Sequence, residues 1–245
     1  MDLETLGWIK KNARPSFLKI QKIKQDFIPL PIDFFKKLSP KEDWFLRRSS
    51  SEGIHGMRHI LRVIINSYIL CHFYNCPDWY PCAIAASVHD LRRRSDGCDN
   101  KHGERAARWF VNTQSPSSRS LSEKDKHNIF YAVKYHDVEY NRIPKQKYLE
   151  HKNIIDILKC ADALDRFRLP KIKWWPNLSY LKLDLNNNLL ELSKYLTYQT
   201  EYLAIKKIMP DNQALFQVGL SLGVLSKKPT KTFINLLSLS CLRLK

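Results

Sequence analysis

Apolar residues recur along most of the chain at the three- and four-residue spacing of amphipathic helices, and the alternating spacing of β-strands is nearly absent. The central part of the chain predicts five helices, at about 53–75, 79–93, 101–113, 122–135 and 147–168. After a Pro- and Trp-rich break, two or three further helices are predicted, at about 188–207, 211–225 and 230–243. The pattern therefore predicts an all-α fold.

The helical pattern changes in character towards both ends of the chain. Residues 1–50 are basic and amphipathic, and four prolines interrupt them. The stretch 114–120 is the clearest predicted loop, and Ser122 with Asp125 resembles the capping signal of the helix that follows. We expect one main domain over 51–205, with helical extensions over 1–50 and 206–245.

Composition narrows the kinds of function. Only 7 of the 245 residues are glycine, and no two of them form a dinucleotide-binding fingerprint or a P-loop. Lys and Arg number 41 against 24 Asp and Glu, a formal net charge of +17. A field of this sign attracts phosphates, nucleic acids or anionic surfaces, although a solvated lysine-rich surface gives the same count. We expect a phosphate-bearing small molecule or a nucleotide as partner, and nucleic acid is a second possibility.

The cysteines and the lack of long apolar segments indicate the cellular compartment of the protein. None of the six cysteines forms a Cys-x-x-Cys pair, and Cys71 and Cys160 fall in apolar helical patterns typical of small core residues. The first fifteen residues lack the apolar region of a secretory signal, and no stretch is apolar enough to span a bilayer. We expect a cytoplasmic protein, and a bacterial effector delivered to a host cytosol fits the same features. Oligomeric state stays open.

All eight histidines lie between His55 and His151. On the predicted helix 53–75, the residues His55, His59, Arg62 and Asn66 fall within about 60° of one another, and the opposite arc is apolar. A helix that is apolar over so wide an arc is mostly buried, so its polar stripe is expected to face an internal cavity. Two histidines one turn apart beside an arginine favour a functional site over a single hydrogen-bonded core histidine.

Four later segments supply further polar residues at helix ends. The apolar run of the second helix ends in His89-Asp90, the third helix begins at His102, the fourth ends at His136, and the fifth contains Asp162. Imidazole and carboxylate are the usual ligands of Zn, Mn or Fe at a hydrolytic site. A carboxylate at the C-terminal end of a helix is unfavourable with the helix dipole, so a cation is expected near Asp90.

These residues, in this order, resemble the HD-domain superfamily of metal-dependent phosphohydrolases, whose pattern H…HD…H…H…D lies on a helical bundle. The resemblance covers roughly 53–170. It implies a principal divalent metal, which could be Mn, Mg, Fe, Zn, Co or Ni. Its ligands would be His59, His89, Asp90 and Asp162. It also implies that His102 and His136 hold a second ion, or contact phosphate where one ion binds.

The chain departs from the family at the lysine of the common HDxGK motif. The corresponding sequence here is HDLRR, so Arg93 occupies the position of that lysine. Arginine binds phosphate bidentately. We expect the following arginines to bind substrate: Arg62, Arg92, Arg93 and Arg166. The expected reaction is hydrolysis of a phosphomonoester or phosphodiester, with a nucleotide or nucleotide-derived substrate favoured by the basic charge.

Three alternatives stay open. His55 is not part of the minimal HD-domain pattern. The sequence around it resembles, more weakly, the phosphodiesterase domain of SidE-type bacterial effectors, in which a histidine acts directly on the phosphodiester. That resemblance implies His55 as nucleophile, Glu104 as a supporting acid or base and His136 as leaving-group acid. The other two alternatives are a di-iron oxygenase on the same fold and a basic nucleic-acid-binding module without activity. As catalytic residues we expect His55, His102 and His136.

Overall fold

The structure, a computed structural model, describes residues 3–12, 28–113 and 121–241. These ranges contain ten α-helices and one pair of two-residue strands, so the all-α prediction is confirmed. The helices are α1 Leu3–Asn12, α2 Ile32–Leu38, α3 Met57–Phe73, α4 Trp79–Val88, α5 His102–Asn112, α6 Glu123–Tyr135, α7 Lys145–Leu164, α8 Asn187–Glu201, α9 Asp211–Leu222 and α10 Lys231–Cys241. The strands are β1 Leu30–Pro31 and β2 Leu225–Ser226, and they pair in parallel. The predicted loop 114–120 lies outside the described residues.

The helix ends follow the local capping chemistry. The side chain of Ser122 accepts a hydrogen bond from the backbone N–H of Asp125 at 3.1 Å, which confirms the capping signal at the start of α6. Asn186 caps α8 in the same way, through the N–H of Leu189 at 3.0 Å. At the other end of α9, Gly223 has a φ of 72°, the left-handed conformation in which glycine ends a helix at little cost.

Two helices of the site are shorter than the sequence predicts. Helix α3 begins at Met57 instead of residue 53, because the chain turns through Gly53 and Gly56 first. A Cβ at Gly56 would lie 2.2 Å from the carbonyl oxygen of Ser51, so this turn needs glycine. His55 therefore lies in a turn before the helix and not on its polar stripe. Helix α4 ends at Val88, and His89 and Asp90 follow in the turn beyond it.

The central bundle packs α3 against α4, α7 and the loop after α7, with α6 and α5 completing it. The inward faces supply one apolar core, to which α3 contributes most, including Ile60, Leu61 and Ile64. Helices α5 and α6 approach closely at Gly103, where a Cβ would lie 2.7 Å from the carbonyl oxygen of Val133. That close approach lets the histidines that begin α5 and follow α6 meet inside the bundle.

The segments expected as N- and C-terminal extensions contact each other and the same core. Strand β1 pairs with β2, and the ring of Phe34 in α2 lies 5.6 Å from that of Phe233 in α10. Trp8 of α1 packs edge-on against Trp175 at 5.7 Å. These contacts place both ends of the chain around the central bundle. Within the described ranges, no helix has the length and apolar character needed to cross a bilayer.

Short 3₁₀ turns connect many of the helices, and a π-helical turn follows α8. They lie at Glu42–Trp44, Arg48–Glu52, Tyr140–Arg142, Asp165–Arg168, Ile172–Trp174 and Leu178–Tyr180, with the π turn at Tyr202–Lys206. The turn Asp165–Arg168 continues directly from α7, where sequence periodicity predicts unbroken helix. In a 3₁₀ turn, residues three apart lie on the same side. Asp165 and Arg168 therefore face the interior together.

Candidate metal centre

The first half of the site brings together two histidines and two aspartates. The Nε2 atoms of His59 and His89 lie 3.1 Å apart. Oδ2 of Asp90 lies 3.4 Å and Oδ1 of Asp162 lies 3.3 Å from Nε2 of His59. Three elements supply these side chains: α3, the turn after α4, and α7. The structure thus brings together all four residues that the resemblance implies as principal metal ligands.

The second half lies on the other side of the same aspartate. Oδ1 of Asp90 lies 3.0 Å from Nε2 of His102 and 3.5 Å from Nε2 of His136. The two Nε2 atoms are 3.0 Å apart, and Asp137 reaches Nδ1 of His102 at 3.2 Å. Asp90 therefore faces the His59 and His89 pair with Oδ2 and the His102 and His136 pair with Oδ1.

The hydrogen bonds of the first half fix which nitrogen of each ring faces the centre. His59 donates from Nδ1 to Oδ2 of Asp165 at 2.7 Å. His89 donates from Nδ1 to the carbonyl oxygen of Ala86 at 2.7 Å. A neutral imidazole has one N–H and one lone pair. In both rings the lone pair is therefore on Nε2, which points into the site.

The second half repeats this arrangement. His136 donates from Nδ1 to the carbonyl oxygen of Val133 at 2.7 Å, and Nδ1 of His102 lies 2.5 Å from the carbonyl oxygen of Asp99. Both rings again present Nε2 lone pairs to the interior. Fixing the tautomer through the outer nitrogen is what proteins do with metal-binding histidines.

Lone pairs 3.0–3.1 Å apart repel each other unless a proton or a metal cation lies between them. Two nitrogens that both bind the same ion at about 2.1 Å are about 3.0 Å apart when the angle at the ion is about 90°, as in an octahedral site. The spacing within each pair of rings fits this value. The donor set, four imidazoles and two carboxylates, suits a divalent transition metal. These buried His/Asp groups can hold a metal ion.

The pKa values of the histidines indicate the same need for positive charge. Burial and Arg168 lower the pKa of His59, but the three nearby carboxylates outweigh them and raise it to about 9. Burial lowers the pKa of His89 to about 3, so its ring is neutral. In the second half, burial lowers the pKa of His136, but Asp90, Asp137 and Asp162 together outweigh it and raise that pKa. Each half therefore contains one imidazole whose surroundings favour positive charge.

A charged group behind His59 holds that ring in place. Asp165 is fully buried and accepts hydrogen bonds from Nε of Arg62 at 2.5 Å and from the hydroxyl of Thr197 at 3.3 Å. Arg62 also donates to Glu201 at 2.7 Å. These arginine contacts lower the pKa of Asp165, which stays ionised against the cost of burial.

His55 lies at the edge of the first half, where the site meets solvent. Its Nδ1 is 2.9 Å from Oδ2 of Asp90, and Arg168 approaches the same nitrogen at 3.3 Å. The backbone N–H of His55 donates to Asp96 at 3.2 Å. The side chains of His55 and Asp162 are 23% and 29% exposed, whereas His59 and His89 are fully buried. The opening of the site is therefore on the His55 and Asp162 side.

The four predicted substrate arginines take four different positions. Arg93 lies at the second half, with Nη1 3.1 Å from Nε2 of His102 and 3.5 Å from Asp90. Arg62 is fully buried behind the site and bound by carboxylates, so we assign it to holding Asp165 instead of substrate. The other two donate to carbonyl oxygens outside the site. Arg92 donates to that of Trp44, and the exposed Arg166 donates to that of Trp174.

Besides Asp165, three residues of the site were not predicted from the sequence. Arg168 donates to the carbonyl oxygens of Ile54 and Asp165, each at 3.0 Å, and fastens the His55 turn to the end of α7. Asp137 reaches His102, and Glu201 binds the buried Arg62. Glu104, the expected supporting acid or base, pairs with the exposed Arg108 at 2.8 Å.

Comparisons of the chain with models of known protein families, with curated proteins and with solved structures found no match.

Proposed function

We propose that this protein is an HD-type phosphohydrolase that uses one or two divalent metal ions to hydrolyse a phosphomonoester or phosphodiester. The observation that carries the proposal is the pair of Nε2–Nε2 contacts, at 3.1 and 3.0 Å, on the two sides of one carboxylate. This arrangement supports two adjacent cation positions that share Asp90. The order of ligands along the chain is that of the HD-domain pattern.

Each half has its own ligands for an ion. The first would be held by His59, His89, Asp90 and Asp162, and the second by His102, His136 and Asp90. When bound, divalent ions supply a water of lowered pKa and positive charge beside the phosphoryl oxygens. Asp162 lies at the opening, so that side of the first half is where substrate can approach.

The chain's own residues then orient the substrate. Arg93 has a guanidinium at the second half, where it can bind a phosphoryl oxygen and stabilise the charge that develops on it. His55 lies at the opening, beside His59 and Asp90, and is not one of the four ligands that we assign to the first ion. We therefore assign it to the leaving-group side of the substrate. Asp165 and Arg168 keep His59 and His55 in position. The basic surface, with its net charge of +17, supports an anionic substrate such as a nucleotide.

The position of His55 also supports a second candidate, a metal-independent histidine phosphodiesterase of the SidE type. His55 contacts a carboxylate on one side and Arg168 on the other, as an attacking imidazole does when it is oriented by an acid and placed beside a cation. In that mechanism Asp90 and Asp162 orient histidines and hold no metal.

The decisive experiment combines metal analysis with a hydrolysis screen. The purified protein is analysed by inductively coupled plasma mass spectrometry, then assayed with p-nitrophenyl phosphate, bis-p-nitrophenyl phosphate and a nucleotide panel. We expect up to two ions per chain and a hydrolysis rate that Asp90→Asn lowers together with the metal content. A protein that holds no metal after reconstitution with Mn, Fe, Co, Ni or Zn, and hydrolyses none of these esters, would contradict the proposal.

A further inference from the structure

Three cysteine thiols form a second cluster at the far end of the α3–α4 pair. The sulfur atoms of Cys71, Cys76 and Cys82 all lie within 4.8 Å of one another. Cys71 follows His59 by twelve residues on α3, which corresponds to about 18 Å along a helix axis. The cluster is thus separate from the His/Asp centre and uses none of its residues.

The end of α3 explains why two of the thiols meet. The N–H of Cys76 donates to the carbonyl oxygen of Cys71 at 2.7 Å, and the N–H of Asn75 donates to that of His72 at 3.2 Å. Asn75 has a φ of 50°. This is the Schellman motif, in which the side chains at the positions of Cys71 and Cys76 come into contact. Apolar side chains usually fill these two positions, and here both are cysteines.

The third thiol comes from the neighbouring helix. Cys82 lies in the first half of α4, on the side that packs against α3, and both Cys71 and Cys82 are buried. Cys76 is half-buried, so the cluster is reached from solvent through this residue.

We propose that Cys71, Cys76 and Cys82 form a binding site for one thiophilic metal ion of low coordination number, and specifically for Cu(I). Thiolates select Cu(I), Zn and iron–sulfur clusters. Structural zinc sites almost always have four protein ligands. The described part of the chain adds no fourth histidine, cysteine or carboxylate to this group. Three sulfur atoms on rigid helix ends suit an ion that accepts three ligands.

An anaerobic Cu(I) titration of the full chain, in competition with a chromophoric Cu(I) chelator, tests the proposal. We expect one equivalent to bind tightly, and X-ray absorption of the complex to show a shell of three sulfur atoms. Cys76→Ser should weaken Cu(I) binding at least tenfold, since it removes the ligand nearest to solvent without opening the core. Cys98→Ser is the matched control and should bind as the wild type does, because Cys98 is exposed and lies outside the cluster.

Other outcomes would overturn the proposal. A shell that contains nitrogen or oxygen would place the copper at the His/Asp centre. Equal affinity in the Cys76→Ser and wild-type proteins would exclude the cluster, and so would a loss of binding in Cys98→Ser. Cys82→Ala gives a second check, with circular dichroism to show that the helices remain: a folded Cys82→Ala protein that still binds Cu(I) tightly is incompatible with a three-thiolate site.

Discussion

Nδ1 of His59 lies 2.7 Å from Oδ2 of Asp165, and both side chains are fully buried. The contact fixes the ring so that Nε2 faces His89, and it places negative charge behind the imidazole. A carboxylate on the outer nitrogen raises the basicity of a metal-binding histidine. Asp165 is therefore part of the proposed centre although it contacts no ion.

Asp165→Asn should weaken the binding of the first metal ion by about 10–100-fold, the usual cost of losing such an outer partner. Asparagine keeps the size of the side chain but removes its charge. Metal affinity is measured by titration against a fluorescent chelator. Asp156→Asn is the control: Asp156 is equally buried on α7 but binds Tyr148 and Lys152. Equal metal affinity in Asp165→Asn and wild type would show that the contact only stabilises the fold.

Asp90 and His102 should differ in how many ions their loss removes. Because Asp90 faces both halves, Asp90→Asn should weaken both ions and abolish hydrolysis. His102 contacts the second half alone, so His102→Ala should lose one ion and keep the other. The metal-to-protein ratio after dialysis distinguishes these cases. The same ratio in both variants would contradict the bridging position of Asp90.

Adjacent arginines should differ in their effect on substrate. Arg93→Ala should lower kcat/KM by tenfold or more, on the order of 1.5–3 kcal/mol for a charge-assisted hydrogen bond, with metal content unchanged. Arg92 donates to the carbonyl oxygen of Trp44 and lies over the ring of Trp109, so Arg92→Ala should change kcat/KM little. Equal losses in the two variants would mean that a general basic surface binds the substrate.

The sequence was sufficient to predict the all-α class and the six residues His59, His89, Asp90, His102, His136 and Asp162, which the structure brings together. Helical periodicity shows which face of each helix is apolar and so predicts the fold class. The order of the six histidines and aspartates along the chain can be read without knowing how the loops between the helices fold. Periodicity failed where the helix stops. It placed His55 on α3 and extended α7 through Arg168. Side chains from distant elements, such as Glu201 against Arg62, leave no local signal in the sequence.

Arg62 should prove to be a structural residue. It is fully buried and bridges Asp165 and Glu201, so Arg62→Met leaves two buried carboxylates without their main partner. Breaking a buried pair in this way costs about 3–5 kcal/mol. Urea unfolding followed by circular dichroism measures the change. Arg166→Met, at an exposed position, should stay within about 0.5 kcal/mol of wild type. A small effect of Arg62→Met on stability, with a large rise in KM, would restore Arg62 as a substrate residue.

A substitution of His55 distinguishes the metal-dependent mechanism from the metal-independent histidine mechanism. It lies 2.9 Å from Asp90 and at the opening, outside the two ligand groups. In the metal mechanism it contacts substrate and leaves the ions in place. His55→Ala should then keep a measurable fraction of wild-type hydrolysis, and EDTA should remove that remainder. His59→Ala, the same substitution four residues further along the chain, should lose both metal and activity.

In the histidine mechanism, His55 attacks phosphorus directly. Its nitrogen bonds to phosphorus, the leaving alcohol departs with a proton from a nearby acid, and water later hydrolyses the P–N bond. His55→Ala would then be inactive, exhaustively chelated wild type would be fully active, and a phosphoramidate could be trapped on the wild-type protein at high pH. We expect the first pattern, because the paired Nε2 atoms on both sides of Asp90 have the spacing of two ligands of one cation, and a histidine nucleophile does not use such cations. Full activity after chelation would overturn it and would assign Asp90 and Asp162 to orienting the histidines.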